Sequence, residues 1–260
     1  MLRTRLRSAL GRRKIETLSL ATIAAFSSIG IVIHDGSPTE SLTAVATPQV
    51  QYLAAKATSA PVPEVAAASM DLPNLEHPRV DSWIKRFTGD QRRSYATYLS
   101  RMAKYEPMIS KKLAERDMPQ GLIYLAMIES GFNPTAKSRV AATGLWQFMR
   151  ATGREYGLKV SGKVDERRNP ARATDAALEY LSDLHDRFGS WYLAAAAYNV
   201  GQGRVAKVMK QVTGKTKGTD ADYYRIANRL PKETREYVPK MIAAARIGTN
   251  PEKYGFSVDE

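Results

Sequence analysis

The sequence predicts an all-α protein, and three observations carry that reading. Apolar residues recur at spacings of three and four in stretch after stretch, the period of a helix with one buried face. Several of those stretches open on a capping residue or a proline and close on glycine. No stretch alternates apolar and polar residues persistently enough to argue for a sheet.

The 260 residues permit one or two domains. The first 75 or so do not read as a packed domain, which leaves one globular unit of about 180 residues, enough for a single sizeable core. There is no cysteine, hence no disulfide, no thiolate metal site and no lipid attached through a cysteine. His34, His77 and His185 are scattered without ligand spacing, so neither a metal nor another cofactor is expected. The formal charge is +13; residues 1–46 carry a net +3 and the remainder +10. Such a balance favours a polyanionic partner. No nucleic-acid motif accompanies it, and no basic run is interleaved with aromatics, so an anionic cell envelope fits better than nucleic acid.

In chain order, a basic region ends at Lys14 and a mostly apolar run follows from Thr17 to Ile33. It is short for a membrane span and matches the core of a secretory signal. Residues 1–46 are therefore expected to be a signal peptide or a membrane anchor, with Ala44-Val45-Ala46 as a candidate cleavage site. Residues 47–75 lie in an Ala/Ser/Thr/Pro-rich stretch with no sustained period and read as a linker. Residues 76–115 form a helical prelude. Val80, Trp83, Ile84 and Phe87 fall on one helical face, and Tyr95, Leu99, Met102, Met108, Ile109 and Leu113 continue the pattern to about Ala114. Residues 116–256 form the main helical domain.

In that domain Pro119 stands where a first helical turn tolerates proline, and Leu122, Leu125, Ala126 and Ile128 line the helix that follows. Glu129 ends this apolar run. Burial and the negative end of the helix dipole both disfavour its charged form, which describes a general acid. Alone, such a glutamate is as readily a solvated or arginine-paired side chain. A polar loop opened by Asn133-Pro134 follows. Further helices are expected over Arg150 to Tyr156, from Asn169-Pro170 to Gly189, from Trp191 to about Tyr198, over Arg204 to Val212, over Tyr223 to Leu230 and over Lys232 to Ile247, with Pro239 kinking or breaking the last.

Glu129-Ser130, Gly144-Leu145-Trp146-Gln147 and Ala197-Tyr198-Asn199, in that order and spacing, resemble the three motifs of the family 1 lytic transglycosylases. Residues 152–158 and Glu233 to Lys240 support the likeness, which covers roughly Ala103 to Phe256. The resemblance implies a lysozyme-like SLT domain that cleaves bacterial peptidoglycan between N-acetylmuramic acid and N-acetylglucosamine. It implies that Glu129 is the single acid/base: it protonates the glycosidic oxygen, then takes the proton of the muramic C6 hydroxyl as a 1,6-anhydro ring closes.

By the same resemblance Tyr198 sets its hydroxyl against Glu129 as the second catalytic residue. Ser138, Gln147, Met149 and Asn199 contact substrate. Three of these residues have a plainer alternative: Ser138 as a turn-stabilising serine, Met149 as a core methionine and Tyr198 as an amphipathic cap of a helix end; Asn199 is expected to brace the turn or the cleft. Trp146 is expected to pack rather than to hold sugar. Glu155, Asp175, Glu179 and Asp183 are expected on solvated faces or in ion pairs. The expected partner is a peptidoglycan glycan strand, met by an exported monomer with possible membrane association through its N-terminal segment. Two rivals stand beside this: a hydrolytic muramidase on the same fold, which needs a second carboxylate to activate water, and a wall-binding scaffold without activity.

Overall fold

The computed structural model describes residues 71–257. The expected signal or anchor and most of the expected linker lie outside the described residues. Among those described, no helix is long and apolar enough to cross a membrane. The architecture is all-α: α1 (Pro78–Thr88), α2 (Arg92–Ala114), α3 (Ile123–Ser130), α4 (Arg150–Glu155), α5 (Pro170–Phe188), α6 (Trp191–Val200), α7 (Gln202–Thr213), α8 (Asp220–Ala227) and α9 (Lys232–Gly248). Isolated bridges, such as those of Thr143 to Lys137 and Phe148, are the only β pairing among the described residues.

Two apolar helices form the centre. In α3, Ile123 to Met127 are all buried, and in α6, Tyr192 to Ala197 are. A helix that is apolar all round must be enclosed on every side. α3 lies against α9 and α2, and α6 is wrapped by α5, α7, α8 and α9. The small faces of Ala194–Ala197 on α6 and Ala243–Ala245 on α9 let these two buried helices approach closely. The prelude packs on this centre as anticipated. Phe87 and Tyr95 sit 4.8 Å apart, Tyr95 and Phe256 5.2 Å, and the Tyr95 hydroxyl donates to the carbonyl of Ala244 at 2.6 Å.

Three boundaries differ from the sequence reading. The linker expected through residue 75 is already packed by Asp71. Leu72 is buried against Gly121, the Asp71 carboxylate accepts the backbone N–H groups of Gln120 and Gly121, and the Tyr192 hydroxyl donates to the carbonyl of Pro73. One leucine and one carboxylate suffice to dock a segment whose composition otherwise reads as low complexity. α8 begins at Asp220 rather than Tyr223, because Thr219 and Asp222 form a capping box ahead of the first apolar residue. α9 runs unbroken through Pro239. The carbonyl that proline leaves without its helical donor, that of Arg235, accepts the Tyr223 hydroxyl at 2.9 Å.

Candidate active site

α3 delivers Glu129 to the edge of the core. The helix stops one residue later because Gly131 adopts φ 57° and returns its N–H to the carbonyl of Met127. The Tyr98 ring lies where a side chain at Gly131 would stand. Phe132 is also left-handed, at φ 56°, so the chain turns sharply away from the glutamate. Ser130 fixes the turn to the following loop by donating to the carbonyl of Leu145 at 2.8 Å.

Glu129 is partly exposed, and its Oε1 accepts the Tyr237 hydroxyl at 2.5 Å. Burial of the carboxyl pushes its pKa from 4.5 up to about 7. The Tyr237 hydrogen bond and the Lys240 ammonium pull it down, and the Glu233 carboxylate adds a smaller push upward. Lys240 donates to the carbonyl of Ile128 at 3.3 Å and lies 5.5 Å over the Trp83 ring. Its own pKa is lowered by burial, with Glu129 and Glu233 opposing. With Oε1 held by a donor, the proton of a neutral Glu129 belongs on Oε2, the oxygen left for a ligand.

Tyr198 is placed differently from the expectation. Its hydroxyl donates to the carbonyl of Trp146 at 2.8 Å rather than to Glu129, and the phenol that touches the acid is Tyr237. Tyr198 stays close enough for the Glu129 charge to raise its pKa, behind the larger effect of burial. Its ring continues a tyrosine row: Tyr180 at 5.2 Å, then Tyr156 at 4.8 Å from Tyr180, with the Tyr156 hydroxyl on Asp183. Asn199 turns inward. It accepts the Thr234 hydroxyl at 2.7 Å and donates to Glu233 at 3.3 Å, so its amide braces α6 to α9 rather than facing a ligand.

The loop from Asn133 to Met149 carries the other expected residues. Ser138 Oγ accepts the N–H of Ala142 at 3.0 Å and its backbone exchanges bonds there, the turn-stabilising alternative. Gln147 sits at φ 48° and donates its Nε2 to the carbonyls of Gly144 and Ala136, which leaves Oε1 to accept. Met149 is 45 % exposed, so it is no core residue. Trp146 is fully buried and donates to Thr174 at 3.0 Å, a packing role as anticipated. Of the other acids, Asp175 pairs with Lys112 and Arg116.

Sequence reasoning missed what holds this loop. Arg167 is buried, paired with Asp165 at 2.7 Å, and donates to the carbonyls of Ala141 and Phe148 at 2.9 and 2.8 Å. Gly144, at φ 89°, lets the loop pass so close that a Cβ would stand 1.8 Å from the carbonyl oxygen of Arg167. Among the described residues, no cluster of three or more His, Asp or Glu side chains is placed to hold a metal.

Part of the chain is similar to known proteins. Residues 106–220 match the transglycosylase SLT domain family. The chain is 42% identical over 156 residues to the membrane-bound lytic murein transglycosylase D of Escherichia coli, covering 60% of this chain and 34% of that protein. It is 36% identical over 124 residues to the peptidoglycan transglycosylase gp16 of Escherichia phage T7, covering 47% of this chain and 9% of that one. Among solved structures, the 70 kDa soluble lytic transglycosylase of Escherichia coli aligns with a TM-score of 0.48 at 27% identity, over 55% of this chain and 24% of that chain. The chain thus spans about a third or less of the length of these relatives. Residues 106–220 thus match the transglycosylase SLT domain, and this part of the chain is similar to lytic murein transglycosylases.

Proposed function

We propose that this protein is a peptidoglycan lytic transglycosylase that cleaves the β-1,4 bond between N-acetylmuramic acid and N-acetylglucosamine and releases 1,6-anhydro-muropeptides. The observation that carries the reading is one carboxyl, Glu129, raised to about 7 by burial and oriented by Tyr237. Such a group holds its proton near neutral pH and gives it to a leaving oxygen. Once the glycosidic oxygen is protonated and the bond breaks, the Glu129 carboxylate is next to the Lys240 ammonium and can accept the proton of the muramic C6 hydroxyl. The C6 oxygen then closes on the anomeric carbon, the proton count balances, and no water is consumed. The row of Tyr198, Tyr180 and Tyr156 offers apolar ring faces with polar edges, suited to sugar rings. Gln147 Oε1 and exposed Met149 supply further contacts at the loop. Tyr198 acts behind Trp146 as a positioning residue. The reading includes an exported protein of the cell envelope, working as a monomer, with the N-terminal segment as signal or anchor.

A hydrolytic reading has one observation in its favour. Glu233 is a second carboxylate close enough to influence Glu129. It already accepts the Asn199 amide at 3.3 Å, which ties it to the brace between α6 and α9. The test is release of soluble fragments from purified peptidoglycan by the wild type and by Glu129→Gln. Anhydro fragments lost in the variant support the proposal. Reducing-end fragments assign a hydrolase, and binding without release by either protein assigns a scaffold.

A further inference from the structure

The prelude helix α1 lies along α9, and one of its side chains reaches the surroundings of the acid. Trp83 is half-buried at that seam. Its indole Nε1 donates to Glu236 of α9 at 3.1 Å, Glu236 pairs with Arg79 of α1 at 3.4 Å, and the Phe87 ring stands 5.6 Å from the indole. These contacts fix the ring, and the ring lies 5.5 Å from the Lys240 ammonium. Lys240 Nζ in turn donates at 3.3 Å to the carbonyl of Ile128, the residue before Glu129. One chain of contacts therefore runs from α1 through Lys240 to the end of the helix that carries the acid. Trp83, Glu236 and Lys240 all lie outside residues 106–220, the segment that matches the SLT domain.

Lys240 has little else to lean on. Among the described residues its ammonium forms no ion pair and makes one hydrogen bond, that to Ile128. Glu236 is engaged by Trp83 and Arg79, and Glu233 by the Asn199 amide. Burial disfavours a charge on Lys240, while the carboxylates of Glu129 and Glu233 favour it from beyond ion-pair range. The other charged or titratable neighbours do not replace the ring. Arg86 of α1 is a second cation, 4.8 Å from the same indole. Tyr198 of α6 and Tyr237 are phenols that burial keeps neutral. The negative face of an indole attracts an ammonium more than any other aromatic ring does, and more strongly where water is excluded.

We propose that Trp83 is a positioning residue for the proposed cleavage: its ring holds the Lys240 ammonium against the C-terminal end of α3, and the prelude helix thereby sets the charge beside Glu129. The inference rests on the peptidoglycan reading above. In that reading Glu129 keeps a proton until the bond breaks and carries a negative charge afterwards. The ammonium must therefore stay close enough to steady the carboxylate without drawing the proton off early. Lys240 is the cation that pulls the Glu129 carboxyl down against the larger push of burial. Without the ring, the ammonium is free to turn towards water, where its effect on Glu129 is screened. The carboxyl then titrates higher, and its charged form has less support in the second half of the reaction.

The test follows the Glu129 carboxyl itself. Carbon NMR of the full chain, labelled in its glutamate side chains and assigned with Glu129→Gln, gives the titration in wild type and variants. In Trp83→Leu it should move upward by roughly half a pH unit, and the alkaline limb of the pH–rate profile should follow. On purified peptidoglycan kcat should fall roughly threefold to tenfold with KM unchanged. Trp83→Phe loses the hydrogen bond to Glu236 but keeps a ring face, and should recover most of the rate. In a Lys240→Met background, Trp83→Leu should leave the Glu129 titration where Lys240→Met alone puts it. If Trp83→Leu does not fold, tryptophan fluorinated on its ring and installed at position 83 replaces it. That side chain keeps the indole N–H while draining the negative face, and should give a smaller movement in the same direction. A titration that does not move, or that moves equally with and without Lys240, overturns the proposal. So does a rise in KM at unchanged kcat, which would make Trp83 a substrate contact. A wild type that releases nothing from peptidoglycan refutes the proposed function, and the NMR titration then still decides Trp83.

Discussion

Replacing Glu129 with glutamine should stabilise the fold, and by an amount that depends on pH. The glutamine is close in shape and keeps an oxygen to accept the Tyr237 hydroxyl, but it has no proton to lose. In the native protein the Glu129 carboxyl titrates at about 7 instead of 4.5, chiefly because burial disfavours its charge. A group whose folded pKa is raised contributes stability that is complete below the unfolded value and is lost as pH rises through the folded one. Between those two values the loss amounts to about 3 kcal/mol. Wild type and variant should therefore unfold alike near pH 4. By about pH 8 the variant should be more stable by about 3 kcal/mol, which is about 6–12 °C in Tm for a domain of this size. Urea or thermal unfolding of both proteins across that pH range measures it. A difference that does not change with pH would refute the claim that this carboxyl is held protonated by its surroundings.

Tyr237→Phe removes the donor to Glu129 Oε1, and a hydrogen bond to a charged group is worth about 1.5–3 kcal/mol, so turnover should fall on the order of tenfold to a hundredfold. That bond favours the charged carboxylate, so its loss should also move the alkaline limb of the pH–rate profile upward, a shift that mere misfolding does not produce. Gly144→Ala places a Cβ 1.8 Å from a backbone oxygen at φ 89° and should cost about 3 kcal/mol or more, read by denaturant unfolding. Arg167→Ala strips two carbonyls and Asp165 of a buried cation. It should cost about 3 kcal/mol and raise hydrogen exchange across residues 141–148 more than in α6.

The helices were legible because most of their signals are local. Asn169 and Ser190 announce α5 and α6 by side-chain caps that the structure contains, and Gly189 ends α5 at φ 71°. Glu129 was legible for the same reason: a lone carboxylate closing an apolar run shows in the chain order. The partners of Glu129 were not. Tyr237 lies 108 positions away, on a helix whose proline argues against continuity, and nothing in spacing says that it rather than Tyr198 reaches the acid. The nearest signal was the stretch from Glu233 to Lys240, which supported the family likeness before any of its side chains had a role. Its Glu233, Tyr237 and Lys240 all bear on Glu129. Arg167 was hidden in the same way, since three basic or acidic neighbours give a charged stretch no reason to be read as a buried clamp. Ser138, Gln147 and Asn199 show the limit of motif transfer. Gln147 and Asn199 stand in their motifs and Ser138 in the loop between two of them, yet much of their polar capacity is engaged by the protein itself.

The central claim is that Glu129 alone moves the proton in both halves of the reaction, with the substrate's own hydroxyl in place of water. Digestion of purified peptidoglycan in water enriched in heavy oxygen, followed by mass spectrometry of the released fragments, tests it most directly. The expected result is fragments lighter than reducing-end products by one water and free of the heavy isotope, absent with Glu129→Gln. One heavy oxygen at every new sugar end would contradict the claim and assign the chemistry to hydrolysis.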